Sequence, residues 1–523
     1  MLPGRASTWP PTSPLMSPAR RSTSTAAVIS IDWVGRRQPA YHCPRVHRGS
    51  LMIRKTIAVL LAACALPTAV RAQATAAADA NAPVSEQRDA SRPDDVPPPS
   101  ATSRPYVIRP VGTAGSDAEK DPHLFGDWFG IRPRLADAGI APIVQYIWQP
   151  ATNLDGGTER TATQQGQFSA GIKVDADKLL GIKGGNFQFL VIDRHGAPLN
   201  AVAGLGLIEG PQAVFGAGQI WRLADLWYSQ QLGSVNVKLG RTSPNEDFGS
   251  GICFFESTYF CGNVPTHAAY QYFYTPPTSV WGGRVLVKDK LGYTQGGVYE
   301  QNPTNFTGRD GFKFSFAGAT GVLLPIERAF TVALGGNKGL SGTYRMGVWY
   351  DTSRSNDLVR DGLGGLAAIS GLPLDRGRGR FGGYLIVDQQ VIAAGADGRG
   401  GLELVYTGVL ADPRTNPIRD LMTFQAIYTG PLASRPRDKV GLAVGRINMN
   451  GKLADLQRAQ RAVAAPGQGP GVQSAEFAVE GSYALNIVPG LSMRPSLQYY
   501  INPGAVVGRK GITVFGLGVF VTL

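Results

Sequence analysis

The chain has 523 residues, 43% of them hydrophobic, with a mean hydropathy of −0.07, 67 Gly, 37 Pro and only 17% charged residues, a balance that suits many short strands and turns. Outside one interrupted stretch near the N-terminus, no apolar run reaches the roughly 20 residues that a membrane-spanning helix needs, which excludes a helical membrane protein. The net charge of +13 is gathered upstream, since residues 1–72 hold 10 of the 51 Lys and Arg and a single acid, Asp32; the rest is only mildly basic, which argues against a nucleic-acid groove.

From Met52 the chain reads as a secretory signal: basic Arg54 and Lys55, an apolar stretch over 57–66, then small residues up to Ala72, with cleavage expected after Ala72 or Ala74. Residues 1–51 read as an upstream extension from a start placed too early. A rival reading takes Leu61-Ala62-Ala63-Cys64 as a lipoprotein box with Cys64 acylated, at the expense of a very short apolar region. Residues 73–122, rich in Ala and Pro, read as a flexible periplasmic arm too poor in large apolar residues to fold. The barrel domain is then expected over 123–523, with Cys253 and Cys261 its only cysteines.

From residue 140 onward the dominant period is two. Phe477, Val479, Tyr483 and Leu485 alternate with Ala478, Glu480, Ser482 and Ala484, and Leu497 and Tyr499 alternate with Ser496, Gln498 and Tyr500. Strands are predicted over 140–149, 167–175, 185–193, 220–231, 235–241, 282–289, 292–300, 319–333, 343–351, 380–391, 400–410, 421–430, 439–448, 475–487, 490–502 and 511–523. Splitting 311–334 in two would give seventeen; a single strand there keeps the number even at sixteen. The long connections 194–219, 242–281, 352–379 and 449–474 then all follow odd-numbered strands, and short turns such as 232–234, 290–291 and 488–490 follow even-numbered ones. A soluble sandwich shares the alternation, but long loops on one side and short turns on the other mark an all-β, antiparallel transmembrane β-barrel.

A barrel of this size leaves a water-filled channel, so function should reside in whatever narrows it. The connection 242–281 is the longest and the richest in aromatic and acidic residues, and we expect it to fold inward as a constriction loop. Its Cys253 and Cys261 suit a local disulfide in an oxidising compartment; a metal pair is the alternative and lacks further ligands nearby. Candidate constriction and substrate-binding residues are Arg241, Glu246, Asp247, Glu256, Trp281 and Arg284. Alternation adds Lys238, Arg345, Trp349, Glu403, Glu480 and Arg494 as lumen residues, and places Tyr344 and Tyr499 outward as girdle residues. Opposed cations and carboxylates offer donors and acceptors to hydroxyls, and aromatic faces stack on sugar rings, whereas a ring of one sign would select ions; the mixture favours a neutral polyol. For any one of these charges the plainer reading is a solvated lumen or loop surface.

Several segments resemble the carbohydrate-selective porins of the OprB family: GDWFGIRPRLADAGI at 126–140, LGRTSPNEDF at 239–248, the Cys253 and Cys261 pair followed by GNVP, WGGRVLVKDKLGYTQGGVYEQNP at 281–303, TGVLLPIERAF at 320–330, YRMGVWYDTS at 344–353, RGRFGGYLIVDQQV at 378–391, ADPRTNPI at 411–418 and LQYYINPG at 497–504. The resemblance implies a sixteen-stranded outer-membrane barrel admitting glucose and related sugars, with the GDWFG segment as a short helix near the periplasmic mouth and with Arg241 and the acids of NEDF near the constriction. The chain departs from the barrel pattern in ending on Leu523 instead of an aromatic residue, with Phe515 and Phe520 as neighbours that compensate.

An outer-membrane enzyme is the rival from another class. After processing only His123, His195 and His267 remain, and no G-x-S-x-G elbow or Ser/His/Asp set appears, so no catalysis is expected. A general or anion-preferring pore is the second rival. The expected partners are small sugars and outer-membrane lipid, with no nucleic acid, as a homotrimer or a monomer, and passive flux requires no cofactor.

Overall fold

The computed structural model describes residues 123–523 apart from 215–218, 263, 336–339 and 396–399; the upstream extension, signal peptide and arm lie outside the described residues. Sixteen strands follow one another: β1 (Ile140–Asp155), β2 (Ala162–Asp175), β3 (Gly185–Gly196), β4 (Arg222–Leu232), β5 (Val235–Thr242), β6 (Val280–Asp289), β7 (Gly292–Gln301), β8 (Gly321–Leu334), β9 (Leu340–Asp361), β10 (Leu374–Ala394), β11 (Gly400–Ala411), β12 (Ile418–Thr429), β13 (Lys439–Met449), β14 (Ala475–Val488), β15 (Leu491–Ile501) and β16 (Ile512–Thr522). Each pairs antiparallel with its sequence neighbours, and β1 closes on β16 from Gln145↔Thr522 to Asp155↔Thr513, so no edge is left unpaired.

The period of two becomes an inside and an outside. Along β14, Glu476, Ala478, Glu480 and Ser482 are buried, and Phe477 on the other face is exposed. Leu239, Val285, Val298, Ile326, Val348, Leu410, Leu442 and Leu497 are likewise exposed, on strand after strand. Such a continuous apolar outer surface is unfavourable in water and suits a hydrocarbon belt.

The sixteen expected strands are all present, but the connection 352–379 is mostly not a loop. β9 runs for 22 residues and β10 for 21, paired from Gln389↔Gly342 up to Leu374↔Asp361. The upper half carries Arg354, Asn356 and Arg360 where the lower half carries outward apolar residues. Water on both sides removes the apolar signature while leaving the ladder intact. A second difference is a helix over Gly451–Val463 in the connection after β13, its first turn capped by Asn450 Oδ1 accepting from the Lys452 amide at 3.1 Å.

At the short-turn end, the GDWFG segment is a run of turns, with Trp128 and Phe129 in the left-handed region, and the helix follows it at Ile131–Asp137. The segment clasps the closing strand: the Leu124 amide donates to the Thr522 carbonyl at 2.9 Å and Arg132 donates to the carbonyl of Leu523. Lys178, in the turn after β2, donates to the Ala136 carbonyl at 3.2 Å.

Candidate functional site

Residues 243–279, joining β5 to β6, fold into the barrel. Phe248, Phe255, Tyr259, Phe273 and Tyr274 are all fully buried there, in one apolar cluster with wall residues Tyr299, Leu323, Trp349, Ile386, Ile447 and Tyr500, and Glu256 is fully buried as well. The loop can enter because the wall makes room. A Cβ on Gly441 would lie 2.5 Å from Phe254, on Gly445 2.9 Å from Phe260, and on Gly516 2.3 Å from a Glu256 carboxylate oxygen. Cys253 and Cys261 are joined by a disulfide that closes the turn holding Phe254, Phe255, Tyr259 and Phe260.

A loop buried this way must satisfy its backbone groups, and the wall supplies partners all round. Arg345 on β9 donates to the Ser250 carbonyl and Arg494 on β15 to that of Phe254. Glu327 on β8 accepts from the Gly249 amide at 2.9 Å, and Glu480 on β14 accepts from the Glu256 and Ser257 amides at 2.8 and 2.9 Å. Of the expected lumen residues, Lys238, Arg345, Trp349, Glu480 and Arg494 are buried on inward faces and Glu403 shares the inward register of β11. Three of them, Arg345, Glu480 and Arg494, bond backbone groups of the loop.

The segment 197–214, in the connection between β3 and β4, also turns inward, which the sequence reading did not foresee. Its Ile208 amide donates to Glu476 on β14 at 3.1 Å, its Pro211 carbonyl accepts from Gln498 on β15 at 3.1 Å, and Gln212 bonds the Gln149 carbonyl on β1. The two inward connections meet where Glu209 faces His267 at 3.3 Å.

Where the loop leaves β5, it brings charges of both signs together. Lys238 Nζ lies 3.2 Å from Glu246 Oε2 and 3.1 Å from Asp247 Oδ2, and Arg284 Nε lies 3.0 Å from Asp247 Oδ1. Tyr299 Oη donates to Asp247 at 2.9 Å and Thr242 Oγ1 to Glu246 at 3.0 Å. Burial raises the Asp247 carboxyl, but Lys238 and Arg284 more than offset it and hold the group below the usual carboxylate range. Asp225 and Trp227 of β4 join the cluster: Gln188 donates to Asp225 at 2.7 Å and Lys238 Nζ lies 4.8 Å above the Trp227 ring. The register irregularity between β3 and β4 at Leu190/Val191 lies before Asp225, so Asp225 and Trp227 share the alternation of buried Ser229 against exposed Tyr228, a count along the sequence that would have placed them inward.

Glu256 lies apart from this cluster, against the far wall of β14–β16, beside Ser496 Oγ at 3.3 Å. Burial, then Glu480, push its carboxyl well above the usual range, with Arg494 opposing. It anchors the loop and does not line its charged base.

Arg241 and Trp281 need correction. In the β5–β6 register, Lys238↔Arg284 and Gly240↔Gly282 share one face, and Leu239↔Gly283 and Arg241↔Trp281 share the other. The first is the lumen and the second carries the exposed Leu239 and Val285. Arg241 and Trp281 therefore point away from the lumen. Arg241 donates to the Ser279 carbonyl at 2.6 Å and to that of Lys313, and Trp281 Nε1 donates to the Phe314 carbonyl at 2.8 Å. Both hold the connection 302–320.

A family model described as the carbohydrate-selective porin, OprB family, matches residues 159–523. The chain belongs to that family. Porin B of Pseudomonas aeruginosa is 35% identical over 409 residues, covering 75% of this chain and 90% of that protein. OprB of Pseudomonas putida, in a high-pH structure, matches at 31% identity with a TM-score of 0.73, over 77% of this chain and 99% of its own. Its low-pH structure, at 24% identity and a TM-score of 0.50, supports the fold alone. The OprB family is one of outer-membrane channels selective for sugars, not of enzymes.

Proposed function

We propose that this chain resides in the outer membrane and lets small neutral sugars such as glucose diffuse passively inward, and that their hydroxyls meet the charged base of the loop: Lys238, Glu246, Asp247 and Arg284, with Asp225 and Trp227. The observation that carries this reading is the mixed charge together with one unused donor. Trp227 Nε1 is buried with no hydrogen-bond partner among the described residues, and the Asp225 and Glu246 carboxyls face one another beside it. Two cations stand against three carboxyls, so the cluster attracts neither ion sign strongly, while its carboxyl acceptors and the free Trp227 donor are the complement of a hydroxylated ring. Weak binding suffices, because a tight site would slow exit. The conduit lies within one chain, so a single barrel is the working unit whether or not copies associate.

The test is single-channel conductance of the refolded protein in a planar bilayer, titrated with glucose, a disaccharide and a size-matched polymer. Saturable block by sugar alone is expected, with Glu246→Gln combined with Asp225→Asn weakening the block about tenfold, the scale of one lost charge-assisted hydrogen bond. A conductance indifferent to sugar in the parent protein would mean a general pore, and anion selectivity would then be measured. Unchanged block in the double variant would remove these residues from the site.

A further inference from the structure

The connection 302–320 does not follow the inward path of the two loops before it. Its first part lies over the lumen side of the rim, where Arg222 donates to the Asn305 carbonyl at 2.8 Å and to that of Thr307 at 2.5 Å. It then crosses the rim at the start of β4, with the Gly311 carbonyl accepting from the Leu223 amide at 2.9 Å. Beyond that point it lies against the outside of the barrel, held by Arg241 and Trp281. There Phe312, Phe314 and Phe316 alternate along the chain and are 48%, 48% and 63% exposed. Phe314 and Phe316 each stand 6.3 Å, centroid to centroid, from the Trp281 ring.

What this segment covers is charged. Arg241 on β5 and Glu300 on β7 both occupy outward positions, level with Trp281, yet are 3% and 6% exposed. Glu300 is capped by the Trp281 amide at 3.3 Å and the Asn302 side chain at 2.7 Å. At the same end of other strands the outward positions hold aromatic rings, Tyr350 on β9, Phe381 on β10 and Tyr499 on β15, each exposed. A barrel in a bilayer places aromatic residues at that height and strongly disfavours bare charges beside lipid.

We infer that residues 312–316 form a lipid-seated flap, whose phenylalanines complete the aromatic girdle over β5–β7 in the outer leaflet and shield Arg241 and Glu300 from it. The occupant of this surface is lipid, because the flap is continuous with the exposed Leu239, Val285 and Val298 directly beneath it. On this assignment Arg241 is an anchor of the flap. The inference rests on the outer-membrane reading above, and the experiment separates the two.

A bimane label is placed at the exposed Ser315 through Ser315→Cys, with Cys43→Ser and Cys64→Ser keeping the label unique, and in a second protein at mid-belt through Leu442→Cys. Both are refolded into phospholipid vesicles with or without lipid bearing a nitroxide near the headgroup or mid-chain, and iodide serves as the aqueous quencher. For the 315 label we expect the headgroup-proximal nitroxide to remove about half the fluorescence and iodide to have little effect, as suits an interfacial side chain. For the 442 label, quenching by the mid-chain nitroxide is expected. No lipid quenching at 442 would overturn the membrane reading itself. Quenching at 442 with iodide alone reaching 315 would overturn the flap and leave the barrel standing. A 315 label shielded from both quenchers would also overturn it, assigning the surface to a second copy, to be confirmed by crosslinking in the same vesicles.

Discussion

Gly516 faces the lumen, and a single methyl group there would meet the Glu256 carboxylate at 2.3 Å with Ser496 Oγ at 2.8 Å. Glu256 cannot swing aside without leaving its seat against β15 and β16. Gly516→Ala should therefore dislodge the loop around Glu256 while leaving the strand ladder intact. The expected outcome is an unchanged barrel by heat-modifiable migration together with frequent closures in single-channel records; quiet, parent-like records would show that the seat does not hold the loop. Glycines of this kind were visible in the composition only as a sign of turns. A gap in a wall has no local signature, because what fills it comes from far away in the sequence, as Glu256 does for Gly516. The charged base of the loop was more legible, since Lys238, Glu246, Asp247 and Arg284 crowd the ends of two strands. Arg241 and Trp281 belong to the same stretch but to the opposite face. A count from Leu239 puts Arg241 outward, yet a charge on the lipid side of a barrel makes sense only once residues 302–320 are seen to cover it.

The inward loop is fastened at two ends by carboxyls of opposite character, and this fixes how it should respond to pH. Asp247 titrates below the ordinary range, so its contribution is present above the unfolded carboxylate value and is lost as pH falls through the folded one. Glu256 titrates above its ordinary value, so the contribution of its neutral form is present at low pH and is lost as pH rises toward and through the raised value. The groups facing Glu256 are Glu480 on β14 and Arg494 on β15, and Arg494 already bonds the Phe254 carbonyl and lies against the Phe254 and Phe520 rings. A rise in pH should thus loosen the far end first. Channel noise recorded across pH is expected to rise with pH above the ordinary carboxylate range in the parent protein and to stay flat there in Glu256→Gln; an identical rise in both would assign the response elsewhere. At this scale the sequence showed the loop and its inward fold, through its length and aromatic density. It did not show the companion segment 197–214, whose inward course depends on Gln149, Glu476 and Gln498 on three separate strands.

For the molecule as a whole, the alternation along the chain was enough to read sixteen strands, because each crosses a medium that sorts apolar from polar residues. Where that medium ends, the sorting ends, and the upper halves of β9 and β10 were read as a loop. The conduit does not need them: the charged base of the inward loop lies against β4–β7. Replacing 357–375 by an Asn-Gly turn joins the paired residues Asn356 and Arg376. The shortened chain should refold, conduct and be blocked by sugar as the parent is, and lost conductance would make the hairpin part of the conducting path. At about 3.3 Å per residue, the 22 residues of β9 extend roughly 70 Å, and a bilayer accounts for only about ten of them. The remainder stands clear on the side of the long loops, which in an outer-membrane barrel is the cell exterior. An epitope grafted between 362 and 373 would then be raised above the headgroups and legible to an antibody on intact cells, reporting by surface staining which way the barrel faces before any current is measured.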